Sequence, residues 1–258
     1  MELIGQDSVL NTLIKRIEEN SLPQSILLSG PAGSGKHSLV NILKDKMQLE
    51  VVDITDSIDY DFILSLYLST RKYIYQIDTD SLSVKNQNEI LKFLEEPPSN
   101  CYIFLVCNNL SNVIDTVVNR CTVVRLNEYT EDKLQCFIKN DKKELLKYCN
   151  TPGQILKYID QDIVSLESFA NKIFDKIVIA NHSNLFNIVN KFSWKDGEEG
   201  IDFSFFLNIL KQISYTVNYD TFMLTDLLCK DCIIPNINKK YLFEKYLFDL
   251  KELHEKSF

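Results

Sequence analysis

The sequence predicts a doubly wound α/β domain built on a parallel sheet, followed by helices alone. Three observations carry this expectation. Short apolar runs alternate with helical patterns as far as residue 127, as in a sheet whose strands are joined by crossover helices. Three of only seven glycines (Gly30, Gly33, Gly35) crowd into one loop between a strand pattern and a helix pattern. After Leu126 no convincing strand run remains.

Taken in order, Val9, Leu10, Leu13, Ile14 and Ile17 recur at helical spacing, with Asp7 or Ser8 placed to cap the start. Residues 25–29 (SILLS) read as a buried strand. Leu39, Val40, Ile42 and Leu43 follow as a helix. Further strand runs are 50–54, 72–77, 101–107 and 122–126, with helices predicted at 60–69 and 84–96. Thr130 with Glu131 and Asp132 makes a helix start, because acids favour the positive end of the helix dipole. Short helices are predicted near 130–139, 142–149 and 153–160. Longer helical patterns fill 164–258, broken near 195–200 and at Pro235. The expected domains are therefore 1–127, 128–163 and 164–258.

Composition narrows the function classes. With 258 residues, 45% of them hydrophobic, and fifteen Phe and twelve Tyr, the chain has ample material for packed cores. No apolar run reaches the roughly 18 residues needed to span a bilayer, so no membrane partner is expected. The start MELIGQDSVL lacks the basic and apolar segments of a secretory signal. Seven cysteines then read as reduced thiols in a cytoplasm. A net charge of −8 lacks the basic excess of a protein that grips DNA alone, so any nucleic-acid role is shared with partners or confined to a small patch.

Residues 30–36 (GPAGSGK) fit G-x-x-x-x-G-K between strand and helix. Gly30, Gly33, Ser34 and Gly35 let successive N–H groups turn toward phosphate oxygens, and Lys36 reaches the β and γ phosphates. The loop predicts nucleotide binding. The next residue is ordinarily Ser or Thr, whose hydroxyl ligates Mg²⁺. Here it is His37, with Ser38 one place later, and imidazole is a poor Mg²⁺ ligand, which leaves the metal open. The run 73–78 ends in Asp78, a second acidic motif. Thr79 follows where hydrolysing ATPases carry a glutamate, and Thr is no general base; Asp80 reads as a helix cap. Cys229 and Cys232 at CxxC spacing have no second pair, the three histidines form no cluster, and neither zinc nor a Ser/His/Asp set is expected. Phe203, Phe205 and Phe206 read as core.

The segment Asn88-Glu-Ile-Leu-Lys-Phe-Leu-Glu-Glu-Pro-Pro98 resembles the N-x-L-L-K-x-L-E-E-P-P signature of clamp-loader subunits of bacterial DNA polymerase III, the delta-prime and gamma/tau subunits. Asn119-Arg120-Cys121 is similar to the family's Ser-Arg-Cys, Ile4-Gly5-Gln6 to its I-G-Q start near the adenine pocket, and Pro152-Gly153-Gln154 to its P-G-x-A-L stretch. The resemblance implies an AAA+ nucleotide-binding domain, a small helical lid and an all-helical collar that joins a hetero-pentamer of AAA+ subunits. That assembly places a sliding clamp on primer–template DNA. It implies Arg120 as an arginine finger offered to a neighbour's ATP, a device worth about 10³–10⁵ in rate in other NTPases, and Asn108 as the polar sensor. Gln154 stands where hydrolysing relatives carry a phosphate-sensing arginine, and the family's four-cysteine zinc insert is missing from 37–77. The departures at His37, Thr79 and Gln154 fit a non-hydrolysing, delta-prime-like subunit, and the retained Lys36 implies ATP as a bound cofactor that is not hydrolysed. The alternatives are a gamma-like ATPase using Ser38 and Asp80 in displaced roles and, more remotely, a P-loop nucleotide kinase.

Overall fold

The computed structural model describes residues 5–54, 71–99, 101–126, 128–138, 140–177, 179–194, 200–232, 234 and 237–255. The helix predicted at 60–69, Ile4, residues 195–199 and Pro235 lie outside the described residues. The chain divides into two compact units, 1–157 and 158–258.

In the first unit, helix α1 (Asp7–Glu18) leads into strand β1 (Ser25–Ser29), the phosphate-loop segment, and helix α2 (Lys36–Met47). Strands β2 (Glu50–Ile54), β3 (Tyr73–Asp78), β4 (Cys101–Cys107) and β5 (Thr122–Arg125) complete one parallel sheet in the order β2-β3-β4-β1-β5. Gln6, not Asp7 or Ser8, occupies the N-cap of α1 and makes no side-chain cap bond, which leaves Asp7 in the first turn beside the dipole. The run predicted as one helix over 84–96 is two, Val84–Glu89 and Leu91–Glu95, parted at Ile90.

A parallel sheet must be covered on both faces, and the strand period of two divides its residues between them. Ile26, Leu28, Ile74, Phe104 and Val106 face the apolar side of α1 and α2 through Leu13, Leu39, Val40 and Leu43. Leu27, Tyr75, Ile77, Ile103 and Leu105 face Ile90, Phe93, Leu94, Val113 and Val117. All five residues of β1 are buried. Each fully buried aliphatic or aromatic side chain contributes about 1.5–3 kcal/mol, so these two layers hold the unit together. After β5 come the helix Glu131–Gln135, a 3₁₀ stretch Asn140–Lys147 kinked at Lys142, and the helix Pro152–Tyr158.

The second unit carries helices Ile163–Lys176, His182–Val189, Phe203–Val217, Tyr219–Asp231 and Lys239–Glu255. One detail differs from the strand-free expectation: β6 (Phe192–Ser193) and β7 (Ile201–Asp202) form a two-residue parallel pair. Its register places Phe192 in an aromatic core, 4.9 Å from Phe206 and 5.2 Å from Phe243 between ring centroids. Phe203, Phe205 and Phe206 are all buried, and Asp202 caps their helix by accepting from Phe205 N at 2.9 Å. Cys232 is buried, and among the described residues no cluster of three or more His, Cys, Asp or Glu is placed to hold a metal. No described helix is long and apolar enough to cross a membrane.

Candidate nucleotide site

The strand register places the site. Ser29 pairs with Cys107 and Asp78 with Val106, so β1, β3 and β4 end side by side, and the segments leaving them converge at the carboxyl edge of the sheet. Beyond that edge, where α/β sheets bind ligands, lies a cleft of ≈ 620 Å³. It is lined by Gly33, Gly35, Lys36, His37, Ser38, Asp78, Asp80 and Asn108 together with Tyr129, Phe137, Pro152 and Leu156.

Gly33 and Gly35 have φ of 78° and 93°, the left-handed region that L side chains avoid, which shapes the loop before α2. Lys36 is buried, and its ammonium donates all three protons inward: to Gly30 O (2.5 Å), Pro31 O (2.9 Å) and Asn108 Oδ1 (3.0 Å). Burial pulls its pKa below 10.5, against the opposing pull of Asp80, Cys107 and Asp78. Gly30 and Ser34 do not line the cleft. Gly30 N–H donates to Cys107 O (3.2 Å), while the fully buried Ser34 hydroxyl has no hydrogen-bond partner among the described residues.

The acids behave differently from the expectation. Asp78, exposed at the end of β3, is the helix cap, accepting from Asp80 N at 3.0 Å. Asp80 is not a cap: its two oxygens accept from Asn108 N (2.7 Å) and Asn112 Nδ2 (3.1 Å). It thereby holds the sensor-position asparagine against the loop. Thr79 is buried with its hydroxyl on Val106 O (3.0 Å). His37 Nδ1 lies 2.8 Å from Gln76 Nε2, and the same amide donates to Asp53.

Two further segments complete the cleft. Thr151 Oγ1 donates to Ala32 O (2.8 Å) and Gly153 N to Gly33 O (3.0 Å), which seats the start of the helix Pro152–Tyr158 on the phosphate loop. Tyr129 OH donates to Ser34 O (3.0 Å), and burial pushes the phenol's pKa up. A methyl group at Gly5 (φ +92°) would meet the Tyr129 ring at 2.6 Å, which explains the glycine of the opening motif.

Arg120 lies outside this cleft. Its Nε donates to Glu95 Oε1 (2.6 Å), its Nη2 reaches the same oxygen, and Nη1 donates to Thr116 O (2.8 Å). Nearby, buried Gln87 accepts from Ile114 N (2.9 Å) and donates to Asn112 O (3.0 Å), so the helix pair 84–95 fixes the segment that carries Arg120.

Of the residues singled out in the sequence, the structure brings Gly33, Gly35, Lys36, His37, Ser38, Asp78 and Asn108 to one cleft. Sequence reasoning undervalued Asp80 and missed Gln76, Tyr129 and Thr151. Gln76 carried a signal, since a polar residue within an apolar strand ending at a site needs a partner. Tyr129 carried none.

A parallel sheet in this strand order, wrapped by helices and opened by a glycine-rich loop bearing Lys36, defines a P-loop AAA+ module. The structure is similar to a DNA polymerase III gamma subunit-related protein of Thermotoga maritima (TM-score 0.54, 15% identity, 94% of this chain and 98% of that one). It is also similar to the Holliday junction branch migration motor RuvB of the same organism (TM-score 0.51, 16% identity, 83% and 76%). The family profile "DNA polymerase III, delta subunit" matches residues 42–130. Replication factor C subunit 5 of Homo sapiens is 29% identical over 167 residues, 56% of this chain and 48% of that protein. The sliding-clamp-loader large subunit of Escherichia phage RB69 is 25% identical over 160 residues, 58% and 49%. The chain thus spans about half the length of the curated relatives it matches. Over these stretches it is similar to AAA+ clamp-loader subunits.

Proposed function

We propose that this chain is a clamp-loader subunit of the delta-prime kind, which joins ATP-binding AAA+ partners, holds nucleotide without hydrolysing it, and presents Arg120 to a neighbouring subunit's ATP. On this reading residues 128–163 act as the lid and 164–258 as the oligomerising collar, and the assembly acts on a sliding clamp and primed DNA in the cytoplasm.

The observation that carries the reading is the mismatch between the two ends of the catalytic apparatus. Within the cleft, the position after Asp78 is a buried threonine bonded to Val106 O, and both Asp80 oxygens are held by Asn108 and Asn112. Neither Thr79 nor Asp80 is left free there to act as a general base for water. Arg120, in contrast, sits away from its own cleft with its guanidinium held on Glu95, where an arginine serving another subunit's site belongs. The test is purification of the complex from the native host with native mass spectrometry, followed by ATPase assays of the reconstituted assembly. A pentamer-sized complex with AAA+ partners supports the reading; a monomer free of replication proteins overturns it.

One observation favours the gamma-like alternative: Asp80 lines the cleft and is the acid that Lys36 feels most strongly. ATP hydrolysis by the isolated chain, abolished by Lys36→Ala, selects that alternative.

A further inference from the structure

Residues that would hold Mg²⁺ in a phosphate loop do not fit that ion here. The position after the loop lysine is His37, and Mg²⁺ prefers oxygen ligands in a near-octahedral shell. Asp80 has both oxygens committed to N–H donors, and Asp78 has one committed. Among the described residues no three His, Cys, Asp or Glu converge as a metal cluster.

The hydrogen bonds around His37 define what its ring offers instead. Gln76 Nε2 contacts both Asp53 Oδ1 and His37 Nδ1. A carboxylate requires a donor, so the amide nitrogen, not the amide oxygen, faces Asp53. That nitrogen has two protons and no lone pair to accept with, so it gives its second proton to Nδ1. Nδ1 is then the acceptor, and the ring proton resides on Nε2. Gln76 is buried, so this orientation is anchored from inside the sheet, while the exposed ring lines the cleft one residue into α2. His37 is thus a fixed N–H donor at the amino end of a 12-residue helix, beside Lys36.

We propose that this cleft takes a nucleoside polyphosphate in its metal-free form, with His37 Nε2–H donating to a phosphate oxygen at the position where a hydroxyl-bound Mg²⁺ ordinarily sits. Lys36 supplies the positive charge, exchanging a loop carbonyl for phosphate. The negative charges of Asp78 and Asp80 are met inside the protein by Asp80 N, Asn108 N, Asn112 Nδ2 and the Lys36 ammonium. The inference rests on the reading of the chain as a nucleotide-holding AAA+ subunit and adds the chemical form of its ligand and a specificity residue.

The test is titration of the full chain with a fluorescent N-methylanthraniloyl ATP, in EDTA and in Mg²⁺, read by anisotropy. The expected wild-type result is a dissociation constant that differs by less than about twofold between the two conditions. Binding weakened tenfold or more in EDTA overturns the proposal. His37→Ala is expected to weaken binding in EDTA about tenfold, the scale of a lost hydrogen bond to a charged group. His37→Thr is expected to lose the same affinity in EDTA and recover it with Mg²⁺, because it restores the hydroxyl. Circular dichroism melting shows that both variants fold. A folded His37→Ala with wild-type affinity in EDTA overturns the role of the histidine. Binding in neither condition overturns the proposal while leaving subunit membership to be decided separately by native mass spectrometry.

Discussion

The amide of Gly153 donates to the carbonyl of Gly33 across 3.0 Å, and a methyl group added at Gly153 would stand 2.5 Å from the Gly33 α-carbon. Two glycines on opposite elements are therefore back to back where a helix start meets the phosphate loop. The pairing explains, in steric terms, why a P-G motif far along the chain belongs with the loop at 30–36.

Gly153→Ala is expected to destabilise the first unit by about 1–3 kcal/mol, the usual cost of forcing a methyl group into a filled site. Nucleotide affinity should fall with it, because Thr151 is drawn off Ala32 O by the same displacement. Urea denaturation followed by circular dichroism, together with the ATP-analogue titration, checks both. An unchanged midpoint would show that the helix start shifts without cost.

Lys36→Met is expected to separate binding from stability. The ammonium is buried and donates to two loop carbonyls and Asn108, so removing it leaves acceptors at a cleft that water can enter. The folding free energy should change by about 1 kcal/mol or less. Nucleotide affinity should fall at least about tenfold, because the cleft loses a charged donor. Melting temperature and fluorescence titration read the two effects independently.

Asp80→Ala should be more destabilising than Asp78→Ala, although Asp78 is the residue that the motif singles out. Asp80 joins Asn108 N and Asn112 Nδ2 across two segments, and losing a charged acceptor of two donors costs about 1–3 kcal/mol. Asp78 caps one 3₁₀ turn on an exposed edge, worth about 0.5–1 kcal/mol. Paired urea midpoints decide the order, and equal midpoints would refute it.

The layout was readable because local patterns and tertiary demands agree. β1, β2 and β4 were predicted at their observed bounds, since each is a short apolar run bounded by polar or turn residues. The loop was readable from glycine clustering alone. The break at Ile90 was not, because Ile90 keeps both the apolar period and a helical backbone (φ −80°, ψ −9°). The cap falls on Asp78 and not on Asp80 because the chain turns into a 3₁₀ helix directly after Asp78, before Asp80 is reached. Tyr129 and Thr151 reach the loop across 95 and 119 residues, a relation that no local pattern encodes.

Arg120→Ala is expected to leave the fold and assembly intact. The Arg120–Glu95 pair is partly solvent-exposed, and such pairs contribute about 0–1 kcal/mol. If the arginine serves a neighbour, ATP turnover of the reconstituted complex should fall by at least tenfold at the interface it completes, within the range for trans arginines. Arg120→Lys should fail to restore it, because an ammonium lacks the planar fork. Unchanged turnover in an intact complex would remove this role.

Alkaline pH provides a test of the cores. Burial pushes the thiols of Cys101, Cys121 and Cys149 from 9.0 up to about 12, and that of Cys229 up to about 11. Between 9.0 and these raised values the native chain keeps protons that the unfolded chain has released, so stability falls as pH rises. The contribution is fully present below pH 9 and is lost through the window up to about 12. Each of the first three thiols accounts for about 1 kcal/mol lost by pH 10. Lys36 acts in the opposite sense: its pKa is lowered, so the unfolded state binds more protons between that value and 10.5, and folding gains as pH rises there. One lysine does not offset three thiols. Urea midpoints under reducing conditions should therefore drop steadily from pH 8 to 10. The triple variant Cys101→Ala, Cys121→Ala, Cys149→Ala, referenced to its own value at pH 8, should flatten that drop by about 3 kcal/mol. A triple variant as alkali-sensitive as the parent would place the titrating groups elsewhere.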